Sequence, residues 1–159
     1  MIAGKVVHEI PDVSDDVLLA AGREQLILVL PGDVLMQRWS LKSFERERVA
    51  RLPGKGTTYR ALMGCNGAGP LLLGSEEAAL VDVETMEPIA VDGRIAGGGK
   101  GMQVHVSANG QTFAGIPTGY GPVAFWRMQV KGKETTVEKF SSTSNAIRWS
   151  WPTADGTLL

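Results

Sequence analysis

The sequence predicts an all-β protein built from repeated units of four antiparallel strands. Glycine accounts for 20 of the 159 residues, about twice the usual share, and lies scattered beside proline, asparagine and aspartate. That pattern is typical of a chain that turns often. Short apolar runs separate the turns. Similar segments recur at a period of about 42 to 44 residues, which is the range of four-stranded propeller blades.

The clearest repeat is a pair of five-residue segments. Leu41–Glu45 and Val83–Glu87 match in character position by position and lie 42 residues apart. An apolar run, a tight turn and a second apolar run precede each of them, as in a β-hairpin. A third copy of this pattern spans residues 111–130. Asn109-Gly110, ahead of that copy, is a strong signal for a tight hairpin turn because both residues tolerate positive φ.

The last strand of each unit differs from the others in charge. The segments 45–51 and 133–139 are densely charged, whereas the earlier strands of each unit are mostly apolar. Charged side chains protect an exposed sheet edge from aggregation, and Pro88 would open the corresponding strand of the second unit, where a missing N–H costs least. This gradient predicts a radial arrangement, with apolar strands inside and charged strands at the rim.

The predicted organisation is an incomplete β-propeller ring. Its parts are an outer strand of a preceding blade at 1–11, blades at 16–53, 58–93 and 102–141, and the start of a further blade at 145–159. Closed propellers typically have four to eight blades. We therefore expect a fragment of a longer protein, with self-association of two copies through their open edges into one ring as the alternative.

The repeats resemble those of WD-repeat propellers. That family ends the third strand of each blade in Trp-Asp, and Trp39-Ser40, Val81-Asp82 and Trp126-Arg127 stand in that place here. Its turn between the first and second strands is echoed by Ser107–Gly110 and Pro152–Gly156. The Gly-His pair of the family is absent, so its buried hydrogen-bond network is not carried over. A related bacterial propeller with degenerate repeats is the alternative. The resemblance implies a propeller that binds protein partners.

Composition excludes several other classes of protein. Sixteen basic and seventeen acidic residues give a net charge of −1, so no overall field would recruit nucleic acid or an anionic membrane. Cys65 is the only cysteine, which excludes an intrachain disulfide, and it is predicted to be a small buried residue. No apolar run is long enough to span a bilayer, and no signal peptide is recognisable. A cytoplasmic location is therefore predicted.

No catalytic, cofactor-binding or metal-binding residue is assigned, and no cofactor is predicted. The glycine-rich segment 93–101 fails the phosphate-loop pattern because Arg94 and Gly101 occupy the decisive positions. His8 and His105, the only histidines, fall on different predicted strands. Ser107 lies two residues after His105, but no third group completes a nucleophilic set.

The positions of the aromatic and basic residues in the predicted strands indicate structural roles for most of them. Trp39 and Trp126 occupy equivalent third-strand positions and are predicted core residues, and Trp149 and Trp151 are predicted to share one packed face. Tyr120 is the candidate for an exposed aromatic side chain that contacts a partner. The basic segment from residue 38 to residue 60 alternates glutamate with arginine at 45–48 and is predicted to be a solvated outer strand.

Three functions remain open from the sequence, and one of them is a sensor or regulatory domain attached to a separate catalytic domain. The first is a non-catalytic protein-interaction or scaffold module that docks a protein or peptide, without nucleic acid or membrane. The second is part of an enzyme propeller, a hydrolase or quinone-dependent dehydrogenase, with a site in the central channel completed by further blades. Fold alone does not choose between them.

Overall fold

Short strands and tight turns dominate the chain, as its glycine-rich composition predicts. The computed structural model describes residues 6, 8–54, 58, 60–67, 69–74, 78–89, 91–92, 102–117, 124–131 and 134–142. Over these residues the chain forms twelve β-strands and no helix. The all-β prediction is therefore confirmed.

The strands form three sheets. The first sheet contains β1 (Leu18–Ala21), β2 (Gln25–Leu30), β3 (Leu35–Ser40) and β4 (Arg46–Arg51) in that order. The second sheet contains β5 (Arg60–Leu62), β6 (Leu71–Gly74) and β7 (Ala79–Val81). The third sheet contains β9 (Met102–Val106), β10 (Thr112–Pro117), β11 (Ala124–Lys131) and β12 (Glu134–Ser142), with β8 (Val91–Asp92) on its edge. Neighbouring strands pair antiparallel in all three sheets, except that β8 pairs parallel with β12.

The outer strand of the second unit departs from the predicted quartet. Pro88 makes one isolated bridge to Val81, and the chain then joins the third sheet, where β8 pairs parallel with β12. Proline has no N–H to continue a ladder along β7, whereas the outer edge of β12 offers unpaired backbone groups. The second sheet therefore has three strands, and β8 links it to its neighbour.

Two apolar cores hold the three sheets together. The first core joins the first and second sheets, and the second core joins the second and third sheets. The first contains Ile27, Val29, Met36, Leu71, Leu73 and Val81, and the second contains Leu72, Leu80, Phe113, Trp126 and Met128. Strand β6 contributes to both because side chains of a strand alternate between its faces. Its unbroken leucine run reflects burial on both faces.

The two matching segments form the same turn. Phe44 N donates to Ser40 O (3.0 Å) and Met86 N donates to Asp82 O (2.8 Å). Phe44 and Met86 both have φ 58°. The side chains before each turn also correspond, since Ser40 Oγ accepts from Ser43 N and Asp82 Oδ1 accepts from Thr85 N. The 42-residue repeat seen in the sequence is thus a repeat of hydrogen bonding.

Glycine substitutions at these twin positions are expected to have unequal effects. Met86 is 2% exposed and belongs to the first core, whereas Phe44 is 37% exposed. Met86→Gly should therefore cost about 2 to 4 kcal/mol, since the lost side chain leaves a cavity. Phe44→Gly should change stability by less than about 1 kcal/mol, because relief of the left-handed backbone offsets the lost contacts. Urea unfolding of both variants measures the difference, and equal losses would contradict it.

The ends of the chain test the predicted boundaries only in part. Val6 and residues 8–17 lie in no strand, although 1–11 was expected to form an outer strand. His8 instead packs its ring on Phe44, with centroids 5.5 Å apart and planes at 20°. The predicted start of a further blade at 145–159 lies outside the described residues, and so do Tyr120, Trp149, Trp151 and the segment 93–101.

Candidate interaction surfaces

Ser107 and Asn109 build a turn and not a nucleophilic site. Ser107 is fully buried, and its hydroxyl donates to Asn109 Oδ1 at 2.7 Å while accepting from Thr112 N at 3.0 Å. Both contacts close the turn between β9 and β10. Gly110 follows with φ 72°, a conformation that favours glycine. The Ser107–Gly110 segment thus has a structural role.

His105 lies on β9 in a partly buried position. Burial lowers the pKa of its imidazole below the usual 6.5, and the positive charge of Arg60 lowers it further. Both effects disfavour the charged form. His105 is therefore neutral at pH 7.

This lowered pKa predicts a loss of stability in mild acid. The unfolded chain binds a proton at His105 near pH 6.5, and the folded chain binds it only at lower pH. The free energy of unfolding should therefore fall as pH drops below about 7, until the native pKa is passed. Urea unfolding at about pH 7.5 and pH 5.5 measures this slope. His105→Gln should reduce the slope, and an unchanged slope would contradict the assignment.

Two predicted core residues are less buried than expected. Cys65 is exposed, because the chain turns immediately after β5 and Gly64 takes the buried position. The expectation of a buried cysteine was wrong. Trp126 is buried in the second core, whereas Trp39 is only partly buried and donates from Nε1 to Gln37 Oε1 at 3.0 Å.

An arginine on β3 binds the turn of the neighbouring sheet. Arg38 Nη1 donates to the carbonyl oxygens of Val83 (2.9 Å) and Glu84 (2.8 Å). Its Nε lies 3.0 Å from Glu47 Oε2, although the N–H is not directed at that oxygen, so this contact is Coulombic. Arg48 donates to the carbonyl oxygen of Thr85 at 3.0 Å. These two arginines join the first and second sheets. Strand β4 itself is exposed at five of its six residues, as the sequence predicts for a solvated outer strand.

The turns at one end of the three sheets pack backbone against backbone. A Cβ added to Gly22 would lie 2.7 Å from the Cα of Gly67. One added to Gly69 would lie 2.7 Å from the carbonyl oxygen of Asn109. Asn66 N also donates to the carbonyl oxygen of Ala108 at 3.0 Å. Only glycine permits these approaches.

We call this end the turn surface. It comprises residues 21–24, 41–45, 64–67, 83–87 and 107–111, which are the described turns between first and second strands and between third and fourth strands. Exposed side chains of both signs lie on it. Lys42 pairs with Glu24 at 2.9 Å, and the hydrogen bond from Lys42 lowers the pKa of the Glu24 carboxyl below its usual value.

The first sheet also has an apolar outer face. Leu19, Leu28, Gln37 and Val49 form one row across its four strands. They point away from the first core, because their strand neighbours Ile27 and Met36 are in that core. Leu19 is 59% exposed and Val49 is 46% exposed. Leu28 between them is only 2% exposed, so this face is open to solvent at its two edge strands and not as one continuous patch.

The part of the chain that the structure describes contains neither a metal-binding cluster nor a membrane-spanning helix. No group of three or more histidine, cysteine, aspartate or glutamate residues is placed there to hold a metal ion. No helix in that part is long and apolar enough to cross a membrane.

Comparison with solved structures identifies the fold. Hsv2 of Kluyveromyces lactis, a β-propeller protein, has a TM-score of 0.62 and 8% identity over 80% of this chain and 47% of that chain. Hsv2 of Kluyveromyces marxianus has a TM-score of 0.62 and 5% identity over 81% of this chain and 49% of that chain. Hydrazine synthase of Kuenenia stuttgartiensis has a TM-score of 0.55 and 11% identity over 96% of this chain and 44% of that chain.

These similarities show a propeller-like fold, and the three sheets that the structure describes do not close a ring. The chain spans about half the length of the solved structures that it matches. No family model matches the sequence, and no curated protein matches it. The neighbours include both Hsv2 and an enzyme, so the fold by itself does not distinguish a scaffold from an enzyme.

Proposed function

We propose that the chain is a non-catalytic protein-interaction module whose turn surface docks a protein or peptide. The close backbone packing of the turns carries this proposal. Because Gly22 lies on Gly67 and Gly69 lies on Asn109, the surface is preorganised. A preorganised surface loses less conformational entropy when a partner binds.

The charge of the turn surface favours a protein partner. Arg23 and Lys42 lie beside Glu24, and Glu84 and Glu87 are exposed on the neighbouring turn. Side chains of both signs suit the polar rim of a protein interface. A nucleic-acid surface would instead need a predominance of basic residues. The resemblance of the repeats to WD-repeat propellers supports the same function.

Site-specific photo-crosslinking tests this proposal. A photoreactive residue at Ser43, exposed on the turn surface, should yield one discrete protein adduct in the cells that make this chain. The matched control is Asp33, exposed in the turn between β2 and β3 at the opposite end. Adducts from both positions alike, or from neither, would contradict docking at the turn surface.

An enzyme propeller is the second candidate, favoured by the neutral imidazole of His105 beside Arg60. A neutral histidine can act as a general base at pH 7. This function predicts turnover of an ester or an alcohol that His105→Gln abolishes. The interaction module predicts that the same variant leaves the Ser43 adduct unchanged.

A further inference from the structure

We propose that the outer edge of β4 binds an extended acidic segment of a partner protein, which adds to the first sheet as a further strand. Strand β4 is last in the order of that sheet, and five of its six residues are exposed. An edge strand presents unpaired N–H and C=O groups to an extended chain beside it. This edge is separate from the turn surface, so the two proposals are independent.

The register of the first sheet identifies the backbone groups of β4 that face outward. Leu52 N donates to Val34 O at 2.9 Å. From there, residues opposite each other on β3 and β4 alternate between pairs that exchange hydrogen bonds and pairs that do not. By this register Ala50 belongs to a bonded pair, whereas Val49 and Arg51 belong to non-bonded pairs. The N–H and C=O groups of Val49 and Arg51 therefore point away from β3, toward the open edge.

The third sheet shows that an outer strand of this fold accepts such an addition. There β8 lies along the outer edge of β12 in parallel pairing, with Val91 opposite Thr135 and Asp92 opposite Thr136. Strands β4 and β12 are both the fourth strands of their units. In the part of the chain that the structure describes, no strand pairs with the outer edge of β4. The added strand on β12 is itself an apolar residue followed by an acidic one.

The charge of β4 indicates an acidic partner. The strand contains three arginines and one glutamate, although the whole chain has a net charge of −1. Arg48 already donates to the second sheet, and Glu47 pairs with Arg38. Among the described residues, no carboxylate lies within ion-pair distance of Arg46 or Arg51. A carboxylate on an added strand would supply the opposite charge.

The side chains beside the open edge specify the pattern of the partner segment. Val49 and Arg51 share one face of β4, because side chains two residues apart point the same way. Ala50 lies on the other face, against the first core. Val49 is 46% exposed, so an apolar and an acidic residue two positions apart on the added strand would complement this face. A second copy of β4 has the same excess of positive charge, which opposes pairing between copies.

Fluorescence anisotropy with a labelled peptide tests this proposal. The probe is the sequence Val-Thr-Asp-Thr repeated twice, and the control peptide has lysine in place of aspartate. At low ionic strength the full chain should bind the aspartate peptide at least about tenfold more tightly than the lysine peptide. Arg51→Glu should reverse this preference, because it exchanges the charge at the edge. Equal binding of the two peptides, or no binding of the aspartate peptide, would overturn the proposal.

Val49→Pro distinguishes strand addition from charge attraction alone. Proline removes the outward N–H of this residue but no hydrogen bond to β3, so the aspartate peptide should bind about fivefold more weakly. Circular dichroism checks that the variant is folded, and Arg51→Glu, at an exposed residue, tests the proposal independently of that outcome. Val49→Ile is the matched control, since it keeps the N–H and an apolar branched side chain and should preserve the affinity. If folded Val49→Pro binds as tightly as the unchanged chain, the peptide does not add as a strand and the proposal is wrong.

Discussion

Gly64→Ala is expected to destabilise the folded chain by about 3 kcal/mol, since overpacking against rigid backbone cannot be relieved by a rotamer change. An added Cβ would collide with the carbonyl oxygen of Ala108 and lie 2.5 Å from the nitrogen of Gly110. Both atoms belong to the turn between β9 and β10, which is held by its own hydrogen bonds. The second and third sheets would have to move apart at the turn surface.

Urea unfolding of the variant measures this loss. The matched control is Gly32→Ala, where an added Cβ would meet only Asp16 Oδ2, at 3.6 Å. This control should change stability by less than about 0.5 kcal/mol, as at most exposed positions. If the two variants unfold at the same urea concentration, the close packing of the turns does not contribute to stability. The Ser43 adduct proposed above should also weaken in Gly64→Ala if the stacked turns hold the docking surface in shape.

The second large effect is expected at Arg38, whose side chain is only 12% exposed. Arg38→Met should cost about 2 to 3 kcal/mol, because the carbonyl oxygens of Val83 and Glu84 lose their donor and Glu47 loses its ion pair. The contact of Arg38 with the Glu84 carboxylate adds little, since that carboxylate is 72% exposed. Arg38→Lys should recover only part of the loss, because a lysine amine cannot reproduce the guanidinium fork.

Lys42→Met is the control for the arginine series. It removes an ion pair of similar length, Lys42 to Glu24 at 2.9 Å, but between two exposed side chains. Solvent screens such a pair, so no measurable change in the urea midpoint is expected. If Arg38→Met and Lys42→Met lower the stability equally, the contacts of Arg38 with the second sheet contribute no more than an exposed ion pair.

Prediction from sequence succeeded where one segment sets its own geometry. The match between Leu41–Glu45 and Val83–Glu87 identified two turns that share φ values and hydrogen bonds, because turn conformation depends on a few adjacent residues. The leucine run of β6 was likewise recognisable as an apolar strand. Its use by two cores followed from strand alternation once its neighbours were known.

Sequence reasoning missed the features that join one sheet to another. Nothing in the pattern around Arg38 distinguishes it from the exposed arginines nearby, since its partners lie about 45 residues away. The exposure of Cys65 and the parallel pairing of β8 were missed for the same reason. The exposed edge of a strand pairs with any neighbouring segment that the packing of the sheets places within hydrogen-bond distance.

The sequence by itself determined the strands, their tight turns and the period of the repeat, because these depend on propensity and hydrogen bonding within a few residues. Only the tertiary structure decided which glycines touch, which arginines bridge two sheets and which apolar side chains remain exposed. Those properties depend on the distance and orientation between whole sheets, which side-chain packing across the cores fixes and no local pattern records.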